Sequence, residues 1–296
     1  MSPEKAQAHL AKFNMEDRVM LTEKILQTAS GGIRYWVSAQ VDPALPWLVF
    51  LPGLTVDHGL FKHQLTYFTE KPLANCLSWD PPAHGASRPF PLAFTLDDLA
   101  LWLHDILERE GVQRPVLVGQ SMGGYVAQAF MELFPGQTGG FVCLDSAPLQ
   151  RSYYPNWEVA FLRHTEKMYL GIPWNLLKAW SGAGVAQTKE ARAYMRASMD
   201  GYQREEFCAL AGHGYRILAD ALDARKPYEV DCPAVLVCGR KDYAGDVRAF
   251  NRKWTRGSGI PLRWVEDAGH NVNMDKPGEI NQIIQDFLGQ IRRGNE

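Results

Sequence analysis

Short apolar runs, each bounded by Gly, Pro or Asp, recur along the chain. They span residues 24–29, 33–39, 47–51, 76–79, 116–118, 141–144, 234–238 and 262–265. From Trp47 onward several runs are nearly continuous instead of alternating with polar residues, which is typical of strands buried on both faces of a parallel sheet. The pattern predicts a series of short strands, the later ones parallel.

Helical patterns lie between these runs. Residues 96–110 carry a Leu and Ile stripe, and residues 122–133 and 279–292 are also predicted to be helical. The alternation of strand and helix predicts an α/β protein with an open sheet and right-handed crossovers.

Residues 148–230, called the insertion below, contain no convincing strand. They carry helix-like stretches and many large aromatic side chains, among them Tyr153, Tyr154, Trp157, Phe161, Tyr169, Trp174, Trp180, Tyr194, Tyr202 and Phe207. An unstructured loop of this length is improbable in a compact domain. We therefore predict a helical cap over the end of the sheet, with residues 1–147 and 231–296 as the core domain. Most of the rings are expected to build the core of the cap itself.

Composition and charge exclude several classes of protein. A net charge of -2 without a basic stripe argues against nucleic acid as a partner. No run approaches the roughly 18 apolar residues of a membrane span, and residues 1–21 are a mixed-charge, helix-like segment without the apolar centre of a signal peptide. We therefore expect a cytoplasmic protein. The five cysteines have no two-residue metal spacing and are expected to be buried thiols: Cys76, Cys143, Cys208, Cys232 and Cys238.

Ser121 stands in the sequence Gly119-Gln-Ser-Met-Gly123, directly between a predicted strand and a predicted helix. Such a tight turn strains the serine backbone, and small neighbours let strand and helix approach each other. The hydroxyl would then project from the carboxyl edge of the sheet beside a helix N-terminus, where negative charge is favoured. Ser121 is therefore a candidate nucleophile, although a helix-capping serine fits the same position.

A serine hydroxyl needs a base and a group that orients the base. His270 follows the last strand in a loop at the same edge, and we predict it to be the base. His58 and His84 also lie in loops after strands, but those strands precede the serine. His9 and His104 lie in helix-like segments, and His164 and His213 lie in the insertion.

Asp242, in Gly239-Arg-Lys-Asp242 after the seventh run, is the predicted acid. Asp145 ends the preceding strand and is the first alternative, and Asp246 is the second. Sequence alone leaves these alternatives open, because a triad is defined by geometry.

Acyl transfer also needs N–H donors for an oxyanion. Leu51-Pro-Gly-Leu54 follows the third run, and the backbone N–H groups of Leu54 and Met122 are candidates for a two-donor oxyanion hole. An ordinary Pro-Gly turn has the same sequence.

Together these motifs resemble the α/β-hydrolase superfamily over nearly the whole chain. The resemblance rests on five segments in a fixed order: Leu51-Pro-Gly-Leu54, Asp80-Pro-Pro-Ala-His-Gly-Ala-Ser87, Gly119-Gln-Ser-Met-Gly-Gly124, Gly239-Arg-Lys-Asp242 and Gly269-His270. It implies an α/β-hydrolase fold with an eight-stranded, mostly parallel sheet, helices on both faces and a helical cap after the sixth strand. It also implies that Ser121 is the nucleophile, His270 the base and Asp242 its orienting acid. A departure is Leu51-Pro-Gly where many members have His-Gly.

The residue types narrow the activity that the resemblance implies. Ser121 stands where haloalkane and fluoroacetate dehalogenases have aspartate, and Met122 where proline iminopeptidases have tryptophan. We expect a serine hydrolase that cleaves a carboxylic ester or thioester through an acyl-enzyme, without metal or organic cofactor. The expected substrate is a small molecule with a hydrophobic or aromatic portion. A carbon-carbon bond hydrolase or a lyase with the same triad is an alternative, as is a ligand-binding protein that has kept a hydrolase pocket.

Overall fold

A computed structural model describes residues 21–294. The predicted helix-like segment before Leu21, which includes His9, lies outside the described residues. Eight strands form one sheet: β1 (Leu21–Thr28), β2 (Gly31–Ser38), β3 (Trp47–Leu51), β4 (Asn75–Trp79), β5 (Val116–Gln120), β6 (Gly140–Leu144), β7 (Ala234–Gly239) and β8 (Leu262–Val265).

The strand order is β1-β2-β4-β3-β5-β6-β7-β8. β2 is antiparallel to both β1 and β4, and every other neighbouring pair is parallel. The prediction of an eight-stranded, mostly parallel sheet is therefore confirmed. Because β3 and β5 to β8 run in one direction, the loops that follow them emerge at one edge of the sheet.

Helices connect and cover the strands. They are α1 (Lys62–Glu70), α2 (Leu96–Arg109), α3 (Met122–Leu133), α4 (Asn156–Leu162), α5 (Thr165–Leu170), α6 (Trp174–Val185), α7 (Lys189–Asp200), α8 (Arg204–Asp223), α9 (Val247–Ser258), α10 (Val272–Asp275) and α11 (Pro277–Gly294). The predicted helices at 96–110, 122–133 and 279–292 correspond to α2, α3 and α11. Among residues 21–294, no helix combines the length and the apolar character that crossing a membrane requires.

The alternation of side chains along β3 shows why helices lie on both faces. Val49 and Leu51 pack in one apolar cluster with α2 and α3, whereas Leu48 and Phe50 pack in a second cluster with α1 and α11. Successive side chains of a strand point to opposite faces, so both residue sets must be apolar. This arrangement explains the nearly continuous apolar runs in the sequence.

The insertion is helical, with α4 to α8 between β6 and β7. α8 packs into the same apolar cluster as α2 and α3, and Tyr194 of α7 packs into the other. Some of the predicted core rings are buried, namely Tyr154, Tyr194, Tyr202 and Phe207, but Trp157, Phe161 and Trp180 are exposed. The division into a core domain and a cap domain stays a prediction.

Candidate active site

Ser121 occupies the turn between β5 and α3. Its backbone has φ 51° and ψ -116°, a conformation that residues with a side chain seldom adopt. Packing explains why small residues flank it. A Cβ added at Gly119 would lie 2.6 Å from the carbonyl carbon of Gly123, and one added at Gly123 would lie 2.5 Å from the carbonyl carbon of Leu51. The Gly-x-Ser-x-Gly spacing therefore allows β3, β5 and α3 to meet beneath the serine.

The structure brings Ser121, His270 and Asp242 together in a line of hydrogen bonds. His270 Nε2 lies 2.9 Å from Ser121 Oγ, and His270 Nδ1 lies 3.0 Å from Asp242 Oδ2. An ionised carboxylate only accepts hydrogen bonds, so Nδ1 carries the ring hydrogen and Nε2 has the free lone pair. This tautomer can accept the proton of the serine hydroxyl. His270 and Asp242 follow β8 and β7, as predicted.

The loop that carries His270 is fixed from two sides. Gln120 Nε2 donates a hydrogen bond to the His270 carbonyl oxygen at 2.8 Å. The Asn271 N–H donates to the carbonyl oxygen of Val185, at the end of α6, at 2.9 Å. The imidazole is therefore positioned both by the strand that precedes the serine and by the insertion.

Asp275 connects the histidine loop to the insertion a second time. Its buried carboxylate accepts hydrogen bonds from the N–H groups of Gly269 at 2.8 Å, Gln187 at 2.9 Å and Thr188 at 2.8 Å. Sequence reasoning did not find Asp275 or Gln120. No motif identifies them, because their partners are distant along the chain.

Asp145, the first alternative acid, has different partners. Its carboxylate oxygens accept the N–H groups of Gly239 at 2.8 Å and Val272 at 3.0 Å. Burial, together with the neighbouring charge of Asp242, raises the pKa of Asp145 well above its usual range. Asp145 thus holds the start of the loop that bears Asp242 and the end of the loop that bears His270. Asp246, the second alternative, is exposed and immediately precedes α9.

The two other loop histidines, His58 and His84, also have other partners. His58 Nδ1 lies 2.8 Å from Asp80 Oδ1, and the ring stacks on Trp36 with the ring centroids 3.5 Å apart. His84 Nδ1 lies 2.9 Å from the carbonyl oxygen of Pro82. Of the three loop histidines, His270 is the one that the structure places against Ser121.

The loop after β3 lies against the serine turn. A Cβ added at Gly53 would collide with Gln120 Oε1 and lie 3.3 Å from Ser121 Cβ. The next residues are held by α7, because Ser198 Oγ donates to the Thr55 carbonyl oxygen at 2.7 Å and Tyr194 Oη donates to Asp57 Oδ1 at 2.7 Å. The position of Leu54 in this loop is therefore tied to the insertion.

Leu54 and Met122, the residue that follows Ser121, line one small cavity of about 20 Å³. Its walls are mainly apolar and come from the loop after β3, from α2, α3 and α8, and from the segments near His84 and Phe94. The lining residues are Pro52, Gly53, Leu54, Pro81, His84, Phe94, Leu99, Met122, Val126, Leu210, His213, Gly214 and Ile217. The apolar walls of this cavity therefore lie next to both residues that carry the candidate oxyanion donors.

Asp145, Cys238 and Asp242 have potential metal ligand atoms within 4.8 Å of one another. Their chemistry does not suit a metal ion. Both oxygens of Asp145 already accept backbone N–H groups, and Asp242 accepts from His270 and from the Ala244 N–H. Burial raises the pKa of the Cys238 thiol, which disfavours the thiolate that binds metals.

Comparison with known proteins points to one family. A sequence model described as the alpha/beta hydrolase family matches residues 48–283. The 2-succinyl-6-hydroxy-2,4-cyclohexadiene-1-carboxylate synthase of Serratia proteamaculans is 24% identical over 280 residues, which cover 91% of this chain and 98% of the relative.

Solved structures agree in fold. The Cif epoxide hydrolase of Acinetobacter nosocomialis superposes with a TM-score of 0.76 at 14% identity, covering 97% of both chains. A thermophilic esterase of Thermogutta terrifontis superposes with a TM-score of 0.70 at 20% identity, covering 91% of this chain and 99% of the esterase. At these identities the likeness concerns the fold alone.

Proposed function

Because the chain belongs to the alpha/beta hydrolase family, we propose that it is a serine hydrolase that cleaves a carboxylic ester or thioester. The observation that carries the proposal is the line of hydrogen bonds from Ser121 through His270 to Asp242, with distances of 2.9 and 3.0 Å. These distances are within the range needed for proton transfer from a nucleophile to its base.

In the proposed reaction Ser121 Oγ attacks the carbonyl carbon while His270 Nε2 takes its proton. The Asp242 carboxylate stabilises the imidazolium that forms. The N–H groups of Leu54 and Met122 bind the oxyanion, and the loss of one such donor typically costs about 10²–10³-fold in rate. His270 then returns the proton to the leaving group, and a water molecule, deprotonated by His270, hydrolyses the acyl-enzyme. None of these steps requires a metal or an organic cofactor.

The apolar cavity next to Leu54 and Met122 supports an uncharged acyl group as substrate. Among the described residues that line it, none is lysine or arginine. A carboxylate on the acyl group would therefore be buried without a cationic partner, which is costly. An ester whose acyl portion is apolar suits these walls better than a charged one.

The test is hydrolysis of short p-nitrophenyl esters by the wild type and by Ser121→Ala. We expect the variant to lose at least about 10³-fold in kcat, as found for loss of a triad nucleophile. Ser30→Ala, a change in the exposed turn between β1 and β2, serves as control and should retain full activity. A fluorophosphonate probe should add its mass to the peptide that contains Ser121 in the wild type and in the control. Full activity of Ser121→Ala would refute the proposal.

A second candidate is a cofactor-free lyase. It is favoured by the Serratia relative, which is named as a synthase of 2-succinyl-6-hydroxy-2,4-cyclohexadiene-1-carboxylate and is covered over 98% of its length. In such a reaction Ser121 and His270 would move protons without a lasting acyl-enzyme. That product carries two carboxylates, for which the cavity described above offers no cationic side chain among its lining residues. An assay for the formation of this product beside the ester assay separates the two candidates.

A further inference from the structure

α7 of the insertion makes hydrogen bonds to the loop after β3, which carries the candidate oxyanion donor Leu54. Tyr194 and Ser198 are four residues apart on α7, so their side chains lie on one face of the helix. Ser198 Oγ donates to the Thr55 carbonyl oxygen at 2.7 Å, and Tyr194 Oη donates to Asp57 Oδ1 at 2.7 Å. All four of these residues are buried. One helix face therefore holds two of the three residues that follow Leu54.

The backbone of Thr55 explains why this loop needs support. Its φ is 66°, in the left-handed region that a β-branched residue seldom adopts. Such a conformation persists only where the surrounding contacts enforce it. Thr55 Oγ1 donates to the Leu54 carbonyl oxygen at 2.6 Å, which is a bond within the loop, whereas the bond from Ser198 comes from the insertion. Ser198 thus helps to hold Thr55 in this conformation, and with it the direction in which the chain leaves Leu54.

The hydroxyl of Tyr194 extends this support to Asp57. It accepts the Asp57 N–H at 3.3 Å as well as donating to the carboxylate, and Asp57 Oδ1 also accepts the Gly59 N–H at 3.0 Å. The Tyr194 ring packs in the apolar cluster that contains Leu60 and Phe61. The ring therefore docks the helix, while the hydroxyl fixes the backbone of the loop.

The Leu54 side chain contacts the insertion too. A Cβ added at Gly214 of α8 would lie 2.5 Å from Leu54 Cδ1 and 2.7 Å from Cδ2. The absence of a side chain at Gly214 thus makes room for Leu54. Two helices of the insertion, α7 and α8, enclose the residue that carries the candidate donor and the residues after it.

α7 is also attached to the loop of the base. Thr188, its N-cap residue, and Gln187 donate their N–H groups to Asp275, which also accepts the Gly269 N–H. Gly269 immediately precedes His270. One helix is therefore fixed at its start to the loop that bears His270 and further along to the loop that bears Leu54.

We propose that Tyr194 and Ser198 are positioning residues for the oxyanion hole: their hydroxyl groups hold the loop that aims the Leu54 N–H at the substrate oxygen. This inference rests on the ester hydrolysis proposed above and adds two residues of the insertion to the groups on which its rate depends. Acylation and deacylation both pass through an oxyanion, so the loss of either hydroxyl lowers kcat whichever step is slower.

The first test removes each hydroxyl alone. Tyr194→Phe keeps the ring that packs in the apolar cluster, and Ser198→Ala removes one oxygen atom. Loss of an oxyanion donor costs about 10²–10³-fold in rate, and a donor that is displaced should cost less than one that is missing. With p-nitrophenyl butyrate we therefore expect each variant to lose about 10–10²-fold in kcat, with KM within about twofold of the wild type.

Two control variants remove buried hydroxyl groups of the same kind elsewhere. Tyr35 Oη donates to the Glu110 carboxylate at 2.7 Å, the same distance and acceptor type as for Tyr194. Ser78 Oγ donates at 3.1 Å to the carbonyl oxygen of Phe50, whose backbone the neighbouring strands hold in the sheet. Tyr35→Phe and Ser78→Ala should lower Tm about as much as the two α7 variants but keep kcat. An equal loss of kcat in variants and controls would overturn the inference, because it would indicate general destabilisation.

A transition-state analogue provides a readout that destabilisation alone does not change. A trifluoromethyl ketone with the same alkyl chain forms a tetrahedral oxyanion on Ser121. Its affinity for Tyr194→Phe and Ser198→Ala should fall by about the same factor as kcat, since both quantities depend on the oxyanion hole. An affinity equal to that of the wild type would contradict the positioning role.

A further measurement does not depend on hydrolysis. In protein with ¹⁵N-labelled leucine, the Leu54 amide resonance should shift in the two α7 variants and stay in place in the two controls. Unchanged kcat in both α7 variants, or an unshifted Leu54 resonance, would overturn this inference and leave the hydrolase proposal intact. Full hydrolysis by Ser121→Ala would instead refute the hydrolase proposal, and the Leu54 resonance would still show whether the two hydroxyl groups hold the loop.

Discussion

Replacing Gly123 with alanine adds one methyl group where α3 begins against the end of β3. The new Cβ would lie 2.5 Å from the carbonyl carbon of Leu51, and closer still to its oxygen. Both are backbone atoms of a buried strand, so no side chain can rotate away to make room. The helix and the strand must therefore move apart.

The size of the effect follows from that geometry. Ordinary contact begins at 3.4 Å, so the backbones must separate by roughly 1 Å. Overpacking of this kind costs about 1–3 kcal/mol, which lowers the Tm of a protein of this size by roughly 2–12 °C. The movement also displaces Leu54, three residues beyond Leu51, relative to Ser121. A misplacement of about 1 Å can reduce the rate about 10²-fold.

Thermal unfolding and p-nitrophenyl butyrate kinetics test both consequences. We expect Gly123→Ala to have a lower Tm than the wild type. Its kcat should fall by a larger factor than its KM rises, because the oxyanion contacts act in the transition state. Gly278→Ala is the matched control: a Cβ there meets no atom within 4 Å of the described structure. It should keep activity and stability. If Gly123→Ala behaved like the control, the close contact of β3 and α3 would not determine the site.

Three further outcomes are expected. Buried His84 has a pKa of about 4 in the folded protein, so between pH 6.5 and 4 this histidine binds a proton in the unfolded state but not in the folded state. The free energy of unfolding should therefore decrease by up to about 3 kcal/mol as the pH is lowered from 6.5 to 4. Urea unfolding should show a flatter pH dependence for His84→Gln, and equal slopes would contradict this. Asp242→Asn should reduce kcat by about 10²–10⁴-fold in steady-state assays while changing Tm little; a loss below tenfold would argue for another acid. Asp275→Ala leaves three backbone N–H groups unpaired and should cost about 3 kcal/mol in urea unfolding, whereas an unchanged midpoint would show that water replaces the carboxylate.

The sequence predicted the central sheet well because burial on both faces requires apolar residues at every position of a strand. The bounds of the edge strand β1 were harder to predict. β1 begins at Leu21, three residues before the predicted run, and its Thr22 and Glu23 are exposed. An edge strand has solvent on one side, so polar residues within it hide its start.

The convergence of Ser121, Asp242 and His270 could be predicted because each residue lies in the segment that follows its own parallel strand. Their catalytic roles stay predictions. The groups that hold them could not be found in the same way. Asp275 and Gln187 are 88 residues apart, and Tyr194 and Asp57 are 137 residues apart. Such pairs depend on how the insertion packs, which local patterns do not encode.

The double connection between residues 185–188 and the histidine loop sets a rule for building chimeras of this fold. An exchange of residues 148–230 for the corresponding segment of a relative would remove the Val185 carbonyl and the Gln187 and Thr188 N–H groups that hold Asn271 and Asp275. A graft should therefore retain 185–188 as part of the recipient. The transplanted helices can then alter the substrate preference without displacing His270.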